Sequence, residues 1–176
     1  TGVTFSILLL LFRSAYPHIA RLGRLKENTE FRNIKRYKEI EQWPNLLILR
    51  IDAPLSFINI QTIRDYIADT IKEENEIDTI IIDARPISHI DSTAIQVLGE
   101  FLDELKENNI RLILTEVVGP VRDILFRTSL IEKIGYENLQ LQLNDAVNKL
   151  QENSNLDNSR DLQHNKKKPL LKKILN

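Results

Sequence analysis

The sequence predicts an α/β fold built on a mostly parallel sheet of four or five strands with about four helices. Three observations carry this. The runs LLILRID (46–52), IDTIIIDAR (77–85) and IRLILTEV (110–117) are nearly continuous in Ile and Leu, as strands buried on both faces are. The segments between them place apolar residues at helical spacing. Strand and helix then alternate along the chain, which builds βαβ units with right-handed crossovers.

Taken in order, the chain opens TGVTFSILLLLFRSAYP, where Val3 to Phe12 form an almost unbroken apolar run closed by Arg13. That run is short of the roughly 20 apolar residues a membrane span needs. A signal peptide would carry its basic residues before the apolar core and not after it. Two readings remain open from the residues alone. One is the last turns of a transmembrane helix begun upstream, with Arg13, His18, Arg21, Arg24 and Lys26 following on the cytoplasmic side. The other is an ordinary buried N-terminal helix. The chain has no Met, so it is expected to continue upstream.

Next, HIARLGRLKENTE is polar and interrupted by Gly, and reads as a linker ending at residue 30. FRNIKRY (31–37) alternates weakly and predicts a short strand. After the first buried strand, APLSFIN is a Pro-containing turn with Asn59 in the capping position of a helix over 60–74. Ile60, Ile63, Ile67 and Ile71 form the stripe of that helix. A second helix, over 92–108, is expected to bury Ile95, Leu98, Phe101, Leu102 and Leu105. A third begins with Pro120 at its first position and stops at Gly135. LQLQL (139–143) alternates like an edge strand, and NDAVNKLQENS supplies a last helix. Residues 153–176 lose periodicity and are expected to be a disordered basic tail, with KKKPLLKK able to touch anionic lipid.

Composition narrows the function. Twenty-four basic and 25 acidic residues nearly cancel, to a net charge of −1, which argues against nucleic acid as a partner. With no Cys there is no disulfide, thiol nucleophile or thiolate metal site. His18, His89 and His164 have no spacing that would place two on one helix face for a metal. The five glycines never form a phosphate-cradling loop. Asp83 ends a strand where other α/β folds place a nucleophile or Mg²⁺ ligand, but no second carboxylate or Lys accompanies it. No cofactor is expected, and the chain does not read as an enzyme.

The segment SHIDSTAIQVLGEF (88–101) stands apart, because it follows a central strand and opens a helix, where α/β sheets place ligands. Thr93 and Gln96 form a T-x-x-Q capping box, and Asp91 suits the positive helix end. The functional reading makes Ser92 a phosphate acceptor, adding about −1.5 to −2 charges beside Asp91.

PHIARLGR, TEFRNIKRY, LLILRIDAPLSFINIQTIRD and IIIDARPISHIDSTAIQVLGEF together resemble the C-terminal part of SulP-type anion transporters, which carry a cytoplasmic STAS domain. The resemblance covers residues 1–150. It implies the end of the last transmembrane helix at 1–13, a linker at 14–30, a STAS domain at 31–152 and the tail at 153–176. The transporter would be secondary active, with sulfate or a related oxyanion as the anion the resemblance implies, and this part would regulate and assemble without itself transporting. The implied partner is the membrane domain of the same transporter; a homodimer and a kinase or regulatory protein at Asp91, Ser92 and Thr93 are also consistent with it. Free-standing anti-sigma factor antagonists share the fold and are phosphorylated on the Ser after Asp in D-S-[ST]-G, which by position is Ser92. Ala94 stands here in place of that Gly. A signalling protein switched at Ser92 is therefore the alternative.

Overall fold

Leu47, Leu49, Ile80 and Ile81 are wholly shielded from solvent, and the strands that carry them lie in the middle of a seven-stranded sheet. The computed structural model describes residues 2–26 and 28–154. Helix α1 (Gly2–Ala15) leads through residues 16–18 into strand β1 (Ile19–Leu25), followed by β2 (Phe31–Asn33) and β3 (Ile40–Glu41). Then come β4 (Leu46–Ile51), α2 (Ile60–Glu73), β5 (Thr79–Asp83), α3 (Ser92–Glu107) and β6 (Arg111–Thr115). The chain continues through α4 (Gly119–Arg127), α5 (Leu130–Ile134), a 3₁₀ turn, β7 (Leu139–Gln140) and a helix α6 over 143–154.

The strand order is β2-β1-β4-β5-β6-β7, with β3 pairing the far end of β1. Strands β4 to β7 are parallel, as the alternation of strand and helix predicts. Because side chains alternate across a strand, Leu47, Leu49, Ile80 and Ile82 face one way and Leu46, Ile48 and Ile81 the other. The first face packs against α2, α3, α4 and α5, through Ile63, Ile67, Leu98 and Phe101 among others. The second is covered by α6, through Leu143, Ala146 and Val147. Each such Leu or Phe removed from water contributes about 1.5–3 kcal/mol.

Several expectations need correction. The sheet has seven strands and is mixed, because β1, β2 and β3 add an antiparallel extension to the parallel half. The expected linker over 14–30 contains β1, which pairs directly with β4. Only Ala20 and Leu22 of that strand bury apolar side chains fully, with Ile19 partly buried against the core, so its polar residues hid it. Gly23 also read as punctuation. It is buried instead, and an added Cβ would meet Ile40 Cγ2 at 2.2 Å and the Glu41 carbonyl at 2.8 Å, so β3 crosses over it only because the side chain is absent. The expected helix over 120–135 breaks at Ser129, which takes a left-handed φ of 55° between α4 and α5. Residues 153 and 154 belong to α6, while the remainder of the expected tail lies outside the described residues.

Helix α1 buries none of its residues, so the reading of an ordinary buried N-terminal helix does not hold. Val3, Phe5, Leu8, Leu10 and Phe12 are all exposed. Among the described residues no helix is long and apolar enough to cross a membrane.

Candidate functional site at the strand ends

Parallel pairing brings the C-terminal ends of β4 and β5 to one edge, so the loops over 52–59 and 84–91 leave side by side. They are zipped together by backbone bonds. The Leu55 N–H donates to the His89 carbonyl (2.9 Å), and the Asp91 N–H donates to the Leu55 carbonyl (3.1 Å). The carboxylate of Asp91 then closes both loops at once. Its Oδ1 accepts from the Ala94 N–H at 2.8 Å, and its Oδ2 accepts from the Phe57 N–H at 2.8 Å. Burial pushes the Asp91 carboxyl up, but the N–H donors of Ala94, Phe57 and Thr93, with the charge of His89, outweigh it and hold the carboxyl below its ordinary value.

This geometry corrects the expected cap. The N-cap of α3 is Asp91, in extended conformation, and Ser92 is the first helical residue. Thr93 lies one position further in and is exposed, and the Gln96 amide donates to Glu100 (3.0 Å), so no T-x-x-Q box forms. Ser92 is exposed beside Asp91, where a phosphate would meet the Asp91 charge at a helix start whose Ala94 N–H that carboxylate already takes.

Asn59, expected to cap α2, makes no side-chain cap. It is buried and stitches the turn before it: Oδ1 accepts from the Ser56 N–H (3.0 Å) and Nδ2 donates to the Pro54 carbonyl (3.0 Å). The turn so held leaves Phe57 67% exposed beside the Ser92 loop. Sequence reasoning passed over Phe57. The available signal was a lone aromatic in a Pro-Ser-Asn turn between a buried strand and a helix.

A row of alternating charges runs along the same edge. His18 Nδ1 meets Asp52 Oδ2 at 2.9 Å, and Arg50 Nε donates to Asp52 Oδ1 at 2.7 Å. Burial pushes the Asp52 carboxyl up, and the bonds from Arg50 and His18 bring it down past its ordinary value. Asp83 is fully buried and gripped by Arg85 through Nε at 2.9 Å and Nη2 at 2.6 Å, and Arg85 also faces Glu116 at 3.5 Å. So enclosed, Asp83 neutralises Arg85 and is not positioned to attack a substrate. Of the three histidines, His18 and His89 sit on different loops, and His164 is outside the described residues. Among the described residues no three His, Cys, Asp or Glu side chains converge to hold a metal. The edge offers exposed hydroxyls at Ser88, Ser92 and Thr93, the exposed ring of Phe57 and a clamped carboxylate.

Comparison with known proteins adds to this geometry. The sequence profile of the STAS domain matches residues 37–146. The chain is 35% identical over 156 residues to "Sulfate transporter 4.1, chloroplastic" of Arabidopsis thaliana, covering 83% of this chain and 23% of that protein. It thus spans about a quarter of the length of such relatives. The solved structure of the murine anion transporter Slc26a9 in its inward-facing state matches 85% of this chain and 25% of its own, with TM-score 0.74 and 23% identity. The anti-sigma factor antagonist SpoIIAA in its unphosphorylated form matches 63% of this chain and 92% of its own, with TM-score 0.52 and 19% identity. At those identities both structures attest the fold.

Proposed function

The chain belongs to the STAS domain family, and on that premise we propose that it is the cytoplasmic regulatory and assembly domain of a secondary active anion transporter. In this reading the anion is sulfate or a related oxyanion, and the domain carries none itself. The observation that carries the reading is the 35% identity to a sulfate transporter across 83% of the chain. An exposed apolar helix at the entrance, α1, supports it, since such a helix suits a continuation of a membrane segment and none of the described residues buries it. The principal partner is then the membrane domain of the same transporter, and pairing of two such transporters is compatible with it.

The strand-end loops are the regulatory surface in this proposal. Ser92 receives a kinase or regulatory protein there, Asp91 holds the loops in register, and Thr93 flanks them. The alternative, a free-standing anti-sigma factor antagonist switched at Ser92, has less support: the SpoIIAA fold leaves more than a third of the chain unmatched. The test is anion uptake by the complete transporter. Ser92→Glu is expected to change labelled sulfate uptake at unchanged membrane abundance, with Ser92→Ala as the uncharged control. Equal uptake in all three proteins removes the regulatory reading, and absence of uptake of any oxyanion removes the transporter reading.

A further inference from the structure

The way α1 enters the sheet says which edge of the domain meets its partner. Strand β1 is antiparallel to β4 and starts where β4 stops, with Ile19 opposite Ile51. The joint over 16–18 therefore sits at the strand-end edge, beside the loop that holds Phe57. Two bonds fasten it there: the Asp52 N–H donates to the His18 carbonyl (3.0 Å), and the His18 ring meets the Asp52 carboxylate. Three residues, even fully extended, reach about 10 Å. The C-terminal end of α1 thus lies within a short span of this edge and far from the opposite one.

On that edge Phe57 has the properties of an anchor. Its ring is two-thirds exposed, yet its backbone is held by Asp91 and its turn is pinned from both sides by Asn59. An aromatic side chain on a backbone fixed in advance loses little freedom on docking, which is what interface hot spots share. We propose that the strand-end edge, centred on Phe57 with Ser92 beside it, is the face that rests on the cytoplasmic surface of the transporter's membrane domain. This rests on the transporter reading above and deepens it. A phosphate or other charge at Ser92 then acts inside the contact, by direct repulsion or attraction.

The experiment uses the complete transporter in membranes, with a photoreactive benzoylphenylalanine replacing Phe57 in one version and Glu76 in another. Glu76 is exposed in the loop that precedes β5, at the far edge. After irradiation and peptide mapping, adducts to membrane-domain peptides are expected from position 57 and not from position 76. Phe57→Ala should lower anion uptake several-fold at equal abundance, and Phe57→Trp should retain it. In a transporter that is inserted and active, the absence of membrane-domain adducts at position 57, or adducts only to lipid or to a separate protein, overturns the docking proposal and leaves the transporter reading intact. A protein that neither inserts nor takes up anion overturns both.

Discussion

The parallel half of the sheet and its antiparallel extension are held by different chemistry. In β4, β5 and β6 the side chains enter apolar cores on both faces, and charge is confined to the strand ends, at Arg50, Asp83 and Arg111. In β1 only Ala20 and Leu22 are fully buried this way, with Ile19 partly buried on the other face. The rest of that strand is positioned by polar pairs. Arg21 Nη2 donates to Glu74 Oε2 (2.7 Å), and Arg24 bonds Glu41 and lies 5.0 Å from the centre of the Trp43 ring. A doubly covered strand is specified by what it is made of, whereas a strand near the sheet edge is specified by what it meets.

Removing β1, the strand that joins the extension to the parallel half, should have the largest effect. A chain over 14–154 is expected to unfold in one cooperative denaturant transition, while 31–154 should lose structure gradually, because β4 is left with one side unpaired. Circular dichroism through a urea titration decides this, and equal cooperativity would make β1 dispensable after all.

Substitutions sharpen the contrast at single residues. Leu47→Ala in the parallel half should cost about 2–5 kcal/mol, as buried Leu truncations do. In the extension the damaging change runs the other way, toward a larger residue. Gly23→Ala must displace Ile40 and the Glu41 carbonyl, at about 1–3 kcal/mol. Both are read from denaturation midpoints at constant slope.

At the strand-end loops the cap separates neighbours. Asp91→Ala should cost about 0.5–2 kcal/mol, and it also frees the Phe57 N–H, which hydrogen exchange would detect. Thr93→Ala should stay within about 0.5 kcal/mol, as exposed substitutions usually do. Because the Asp91 carboxyl is depressed in the folded state, its contribution is complete above the ordinary Asp value and disappears as pH falls through the folded one.

The smallest effect belongs to the ion pair between Arg21 and Glu74. Arg21→Ala should cost at most about 1 kcal/mol, since Glu74 is substantially exposed. The Arg21 hydrogen bond depresses the Glu74 carboxyl, so the difference between native and substituted protein should be full at neutral pH and shrink in acid. A difference that stays constant down to low pH would mean Arg21 acts by packing alone.

These contrasts explain what could be read in the residues. The Ile and Leu runs of β4, β5 and β6 and the stripe Ile60, Ile63, Ile67 announce themselves, because burial on a sheet or helix face imposes a period. The sequence of β1 carries no such mark, since its partners Glu74 and Glu41 lie far along the chain. The break at Ser129 is equally silent, for Ser rarely signals a left-handed residue. At the candidate site, Asp91, Ser92 and Thr93 were legible as a helix start. Which of them caps depended on where the helix begins, and the cap stands two positions before Thr93. Phe57 was not legible, because its prominence comes from the Asn59 stitching and the Asp91 bond across two loops.

The double hold of Asp52 on His18 has a mechanical consequence. With His18 fixed to the sheet, play in the joint is confined to Tyr16 and Pro17, and the proline ring locks one of their torsions. Fourteen residues of α1 make a lever roughly 21 Å long on this stub. Rotation at the far end of that lever reaches the domain as torque, so a rocking helix would swing the strand ends through an arc instead of letting them trail on slack.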